Sequence, residues 1–308
     1  MALPKVTVVG AGRMGVGIAQ AVALAGGEIE LLDVKERTAA ERDSALETAK
    51  NGVERGLELL ASVGLRGDPA LVSYSGPDLL SEARVVFEAV PETREAKDAV
   101  YALLGDCLPQ GALVGSTTST FAVDDLAGLL DEPERFMNTH WLNPAPVMPI
   151  VEVMPGGATD EDAFGAMTAH LRALGKIPVR CSASAGYIVP RIQALAMNEA
   201  ARLVEEGVAD AETVDLACRL GFGVRFATMG LLEFVDWGGA DILLYASEYL
   251  TGALGSDRYE APAIVAEKVQ DGTRFRDQIE SSDAYRQETL ARLVALLDHL
   301  GLGRATSG

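Results

Sequence analysis

Along the first part of the chain, short β-branched runs alternate with longer stretches of helical spacing. Lys5–Val9, Glu28–Leu32, Leu71–Tyr74, Val85–Ala89 and Ala112–Gly115 are short and largely apolar, the pattern of strands buried on both faces. Met14–Ala25, Glu36–Ser62 and Glu95–Cys107 lie between them with helical periodicity. Phe136–Thr139, Ile150–Met154 and Ile177–Arg180 predict further strands, with Asp160–Leu174 as an intervening helix. Alternation of this kind predicts an α/β fold, a Rossmann-type doubly wound sheet with helices on both faces.

After Cys181 the texture changes. Ser182-Ala183-Ser184-Ala185-Gly186 makes a small-residue junction, and no convincing strand pattern follows it. Ile192–Glu206, Ala211–Leu220, Leu231–Leu250 and Pro262–Val269 predict helices. A last helix carries Leu290, Leu293, Val294, Leu297 and Leu300 on one stripe and stops at Gly301. Two domains are therefore expected, a sheet domain over 1–183 and an all-helical C-terminal domain over 184–308.

Charge narrows the partners. With 26 basic against 45 acidic residues the formal charge is -19, which argues against nucleic acid or an anionic membrane surface. No uninterrupted apolar run reaches the roughly 18 residues of a membrane span. The first residues reach a glycine turn at Gly10 before a signal-peptide core could form. Three scattered cysteines, Cys107, Cys181 and Cys218, fit neither a disulfide framework nor a zinc site, so no metal is expected. A reducing cytoplasm is the expected compartment.

The glycines of Gly10-x-Gly12-x-x-Gly15 follow a predicted strand and open a predicted helix, and Asp33 ends the next strand. The first allows a tight turn, the second lets backbone approach a pyrophosphate, and the third lets helix and strand pack closely. The helix N-terminus offers free N–H groups to phosphate. Asp33 would accept hydrogen bonds from ribose hydroxyls and repel a 2′-phosphate, favouring NAD. Lys35 and Arg37 lie close by and soften that bias against NADP.

Of three histidines, His140 stands out, with Glu152 following and Asn143-Pro144 just beyond it. Histidine starts with a pKa suited to a general base, and a carboxylate is its usual orienting partner. His170 and His299 fall on predicted helices and read as solvated, and Glu233 and Asp236 read as packing or capping groups.

Residues 10–20, Glu88-Ala-Val-Pro-Glu92, Ser116-Thr-Thr-Ser-Thr120 and the run from His140 to Val153 resemble the L-3-hydroxyacyl-CoA dehydrogenase family. Gly186-Tyr-Ile-Val-Pro-Arg191 and Leu232-Glu-Phe-Val-Asp236 extend the likeness into the helical part. The resemblance implies that NAD is bound by the 1–183 domain and that 184–308 serves substrate binding and homodimerisation; the substrate is expected in the cleft between the two, outside the carboxyl ends of the strands.

Carried over by position, His140 would take the C3-hydroxyl proton, Glu152 would orient it, and Ser119 would hydrogen-bond the reacting oxygen. Gly10, Gly12, Arg13, Met14, Gly15, Asp33, Ala89, Glu92, Lys97, Thr117 and Asn143 would contact the cofactor, Asn143 at the nicotinamide carboxamide. Pro190 and Arg191 would lie toward the substrate.

Three features depart from the family pattern. Pro190 replaces an asparagine whose side chain contacts substrate; proline either simply starts the helix or alters how substrate is polarised. Residues 36–70 lack a lysine cluster for a coenzyme A phosphate, and the C-terminal glycine- and aromatic-rich segment is reduced to Asp271–Arg276. Oxidation of a 3-hydroxyacyl-CoA, or reduction of its 3-keto form, is expected. The alternatives are a free 3-hydroxy acid, such as a sugar acid or natural-product intermediate, and a non-catalytic NAD-binding structural or sensor protein.

Overall fold

The computed structural model describes residue 3 and residues 5–276 and 283–302 of the 308-residue chain. Residues 1, 2 and 4, part of the stretch read above for a leader, lie outside the described residues. The chain forms two compact units, one up to Leu195 and one from Ala196.

The first unit holds β1 (Val6–Val9), α1 (Arg13–Leu24), β2 (Ile29–Leu32), α2 (Ala39–Ser62), β3 (Val72–Ser75), β4 (Val85–Glu88), α3 (Arg94–Cys107) and β5 (Leu113–Ser116). It continues with α4 (Val123–Ala127), β6 (Phe136–Trp141), β7 (Ile150–Pro155), α5 (Glu161–Ala173) and β8 (Ile177–Arg180). Every strand and long helix expected from the pattern is present. The sheet order is β3-β2-β1-β4-β5-β6-β7-β8, parallel except that β7 runs antiparallel to β6. That reversal follows from length, because only a short loop joins His140 to Glu152 and no crossover helix fits within it.

Strand alternation divides the core. Val8, Leu31, Phe87, Met137, Trp141 and Val153 pack on one face with residues of α1, α2 and α5. Val9, Leu32, Val86, Val114 and Phe136 face the other way, toward α3 and α4. Burial on both faces explains why these strands read as nearly continuous apolar runs. Helix α2 starts three residues later than its periodicity suggests. Thr38 and Glu41 close a reciprocal capping box that fixes the start.

The second unit carries most of α6 (Val189–Glu205), then α7 (Ala211–Ala217), α8 (Val224–Thr228), α9 (Leu231–Gly238), α10 (Ala240–Leu254), α11 (Ala263–Asp271) and α12 (Asp283–His299). Two expectations are corrected. Leu231–Leu250 is two helices, because Gly239 at φ +102° breaks the backbone between them. Ala211–Leu220 passes at Cys218 into a π-helical stretch reaching Gly223. In the stripe along α12 and just past it, Leu290 and Leu300 are each 49 % exposed.

Glu233 caps the Gly230 N–H and Asp236 accepts from the Phe275 and Arg276 N–H groups, both structural tasks. His170, expected to be solvated, is buried on α5 with neither ring nitrogen hydrogen-bonded, and burial pushes its pKa below the usual value. Helical spacing told which residues share its face, but not that this face meets the sheet. Among the described residues, no helix is long and apolar enough to cross a membrane.

Candidate active site

The motif residues converge on one edge. Gly10 follows β1, Asp33 follows β2, Ala89 follows β4, Thr117 follows β5 and His140 is the last residue but one of β6, all at the carboxyl ends of parallel strands. The order reverses between β1 and β4, the switch point where open α/β sheets bind ligands.

Gly10 adopts φ +117°, and a Cβ there would lie 2.6 Å from the Ala89 carbonyl oxygen, so only glycine is accommodated. A Cβ on Gly15 would lie 1.9 Å from the Gly10 oxygen. Gly12 differs. A Cβ on it meets no protein atom within 4 Å, and as N-cap of α1 it makes no side-chain cap. The N-terminal N–H groups at Arg13 and Met14 thus open onto a cradle that any side chain at Gly12 would fill. The first turn of α1 carries no acidic residue to compete with an anion.

Asp33 is buried and accepts a 2.9 Å hydrogen bond from Arg37 Nε, so the softening cation is already tied to the carboxylate. These residues fit a bound dinucleotide, with pyrophosphate at residues 12–14 and a ribose at Asp33.

At the other end of the edge, pairing of β6 with β7 sets His140 opposite Glu152. His140 Nδ1 lies 2.8 Å from Glu152 Oε2, and the carboxylate is fully buried. Its other oxygen accepts the N–H groups of Ile188 and Val189, each at 2.9 Å, at the start of α6. Three donors therefore surround Glu152, compensating its desolvation. With Nδ1–H donated to a carboxylate, a neutral His140 presents Nε2 as an acceptor.

The loop bearing Ser119 is built by a second carboxylate. Glu92 Oε1 accepts the N–H groups of Ser119 at 2.8 Å and Thr120 at 3.0 Å, and the hydroxyls of Thr118 and Thr120. Burial would raise the Glu92 pKa, but these hydrogen bonds and the Lys97 ammonium hold it below the usual value. Lys97, expected to touch cofactor, has no exposed surface. It bonds both oxygens of Glu88 at 2.8 Å and approaches Glu92 at 3.5 Å. Its role in this geometry is to hold the loop, with Tyr101 and Ser116 completing the shell around Glu88. The Ser119 hydroxyl has no partner among the described residues and lies exposed.

Asn143 is exposed on the loop after β6, its amide without a hydrogen-bond partner among the described residues. Lys176 pins that loop by donating to the carbonyls of Ala145 at 2.7 Å and Met148 at 2.9 Å. Gly17 lets α1 approach it, since a Cβ there would sit 3.3 Å from that of Ala145. Pro190 stands in the first turn of α6, where its missing N–H leaves no carbonyl unpaired, and Arg191 is exposed.

Several residues of the site carry no role in the sequence reading, two of them, Tyr187 and Glu88, although they lie within quoted motifs. Tyr187 packs its ring 5.3 Å from that of His140, donates its hydroxyl to the Thr118 carbonyl at 2.9 Å, and holds φ +44°. Burial pushes its pKa up to about 12, so it stays a donor. Asn138 and Lys176 had no signal beyond being polar residues in apolar surroundings, and the motif that opens at Glu88 gave no hint of its structural task.

A nucleotide cradle at a switch point and a carboxylate-oriented histidine on the same edge define a dinucleotide-dependent dehydrogenase. Models of the 3-hydroxyacyl-CoA dehydrogenase NAD-binding domain and C-terminal domain match residues 5–184 and 186–282. The chain belongs to the 3-hydroxyacyl-CoA dehydrogenase family, and it is an NAD-dependent oxidoreductase.

Over 274 residues it is 32% identical to a probable 3-hydroxybutyryl-CoA dehydrogenase of Deinococcus radiodurans, covering 87% of this chain and 95% of the relative. It is 33% identical to the 3-hydroxyadipyl-CoA dehydrogenase of Escherichia coli over 88% of this chain, but spans only 56% of that longer protein. Among solved structures, the 3-hydroxyacyl-CoA dehydrogenase of Archaeoglobus fulgidus matches with a TM-score of 0.77 at 33% identity, over 97% of this chain and 99% of that one. A 5-formyl-3-hydroxy-2-methylpyridine 4-carboxylic acid 5-dehydrogenase matches with a TM-score of 0.73 at 28% identity, over 98% and 100% of the two chains.

Proposed function

We propose that the protein oxidises the C3 hydroxyl of a 3-hydroxyacyl-CoA, or reduces the 3-keto form, with His140 as general base. The observation that carries this reading is the 2.8 Å His140–Glu152 pair on the same sheet edge as the glycine cradle. NAD, when bound, supplies the hydride acceptor. His140 Nε2 takes the hydroxyl proton as the C3–H bond gives up its hydride, so the substrate loses two electrons and two hydrogens and becomes a ketone. Glu152 fixes the tautomer and stabilises the imidazolium that forms. The Ser119 hydroxyl is the donor to the reacting oxygen, and Asn143 holds the carboxamide end of the cofactor. Gly10, Gly12, Arg13, Met14, Gly15, Asp33, Ala89 and Thr117 form the rest of the nucleotide site, with Glu92 and Lys97 shaping its wall.

NAD reduction on 3-hydroxybutyryl-CoA, longer 3-hydroxyacyl-CoA thioesters and the matching free acids tests the assignment. Turnover of thioesters well above free acids is the expected result. The reverse would favour a second reading, a free hydroxy acid as substrate. Pro190 and the exposed Arg191 speak for that reading, since a guanidinium with no partner among the described residues is suited to a free carboxylate.

A homodimer formed through the helical unit is part of the proposal. Ile242, Tyr245 and Tyr249, spaced along one face of α10, are 61–72 % exposed, apolar surface that a second copy would cover.

A further inference from the structure

One peptide group of the candidate site is gripped at both ends. The Thr118 carbonyl accepts the Tyr187 hydroxyl at 2.9 Å, and the N–H of the same peptide, on Ser119, donates to Glu92 Oε1 at 2.8 Å. A trans peptide is planar with its C=O and N–H pointing opposite ways. Bonds on both edges therefore fix its orientation, and with it the Cα from which the Ser119 side chain projects.

Tyr187 reaches this loop from a separate segment, just ahead of α6. Its ring lies 5.3 Å from that of His140, and its hydroxyl oxygen accepts from Asn138 Nδ2 at 3.2 Å. Asn138 stands on β6 two residues before His140, and its other amide hydrogen goes to the Phe121 carbonyl at 3.1 Å. Both amide hydrogens are committed, so the Tyr187 proton is left to Thr118. The backbone at Tyr187 holds φ +44°, a left-handed conformation that is strained for a bulky side chain. The turn made there carries the next two N–H groups, of Ile188 and Val189, onto Glu152. One strained residue thus touches the base with its ring and the Ser119 loop with its hydroxyl.

We infer that Tyr187 is a positioning residue. Its ring seats the His140 imidazole and its hydroxyl fixes the Thr118–Ser119 peptide, so that donor and base meet the same reacting oxygen. The inference rests on the reading of Ser119 and His140 above, but not on whether coenzyme A is the carrier.

The test is Tyr187→Phe, alone and combined with Ser119→Ala, on whichever 3-hydroxyacyl thioester or free acid is oxidised. Phenylalanine keeps the ring against His140 and removes only the hydroxyl. Tyr187→Phe should lower kcat by roughly 10–100-fold, the cost of a misplaced group, with KM within about twofold of wild type. Ser119→Ala should lower kcat by about 10²–10³-fold, the cost of a lost donor. The double variant should be no slower than Ser119→Ala, because no donor is left to misplace. The acid limb of the pH–rate profile should stay in place, since the His140–Glu152 pair is untouched. The Ser119 amide should exchange its hydrogen about 2–10-fold faster in Tyr187→Phe, the worth of one hydrogen bond.

A folded Tyr187→Phe protein with wild-type kcat would overturn the inference. So would an equal loss with and without Ser119, the mark of a general structural role. If Ser119→Ala alone keeps full turnover, or neither substrate series is oxidised, the mechanistic reading fails and exchange at Ser119 decides the inference separately. Faster exchange in Tyr187→Phe then upholds the clamp, and unchanged exchange overturns it. Should Tyr187→Phe not fold, NMR of ring-labelled tyrosine reads the hydroxyl proton of wild type. Exchange far slower than in free tyrosine upholds the bond to Thr118, and an equal rate overturns it.

Discussion

The unit up to Leu195 and the helical unit from Ala196 spend their apolar residues differently. In the first, whole strands are buried residue by residue, and even Glu88, Lys97 and Glu152 are carried to zero exposure because each finds its partners inside. In the second, few side chains are fully enclosed, while Met197 is 67% and Tyr245 72% exposed. A parallel sheet covered on both faces closes its own core. Short helices with broad apolar faces do not, and those faces are what the proposed dimer would cover. The proposed chemistry falls on the self-contained unit, where a 1 Å error in a buried hydrogen bond is resisted by every neighbour.

Removing the base tests that contrast most severely. His140→Gln should lower turnover by about 10²–10⁴-fold while NAD affinity, measured by fluorescence titration, stays near wild type. Retention of a tenth of wild-type rate with chemistry limiting would dismiss His140 as the base. Glu152→Gln should cost nearly as much, within the same 10²–10⁴-fold range (about 10⁴-fold at most), because a carboxamide beside a catalytic histidine favours the wrong tautomer. The two backbone N–H groups at α6 claim its remaining oxygen, so its NH₂ must face His140 Nδ1. That drives the imidazole proton onto Nε2 and removes the acceptor. A mild loss would mean that the carboxylate serves structure alone.

On the helical side, Ile242→Asp with Tyr245→Glu should halve the mass seen by light scattering without changing NAD affinity. An unchanged mass would move the dimer interface elsewhere. A smaller effect is expected at Asp33→Ala, which frees Arg37 to meet a 2′-phosphate. The NAD/NADP ratio of kcat/KM should fall by about 10–100-fold, the range for a hydrogen bond to a charged group. Equal use of both cofactors by the unmutated protein would discard Asp33 as the selector.

The smallest expected effect is on stability. His170 has a folded pKa below its ordinary 6.5, because burial disfavours the imidazolium. Above that value both states are neutral and the residue is silent. As pH falls through 6.5 the unfolded chain takes up the proton first, so stability drops by roughly 1.4 kcal/mol per pH unit until the folded pKa is reached. His170→Leu should flatten this acid limb of the melting temperature. An unchanged limb would assign it to other groups.

Much of the active edge could be read directly from the chain. Gly10, Gly15 and Asp33 announce themselves because backbone sterics and ribose chemistry admit few alternatives. His140 and Glu152 stand twelve residues apart, and a short antiparallel return is enough to pair them. What remained hidden is what depends on distant partners. Lys97 has the sequence signature of a helix-surface cation, yet its neighbours are Glu88 and Glu92. His170 looks amphipathic on α5 until the sheet is laid against it.

By itself the sequence determined the periodicities, the turn glycines and the His140–Glu152 pairing on which the proposed chemistry rests, all set by interactions within a few residues or one strand pair. Only the tertiary structure decided which carboxylates are structural, that the Asn138 amide is locked with its oxygen unpaired, and that Tyr187 backs His140 from a separate segment of the chain. Those outcomes turn on desolvation and on hydrogen bonds between residues tens of positions apart. Their strength depends on surroundings that no local pattern encodes.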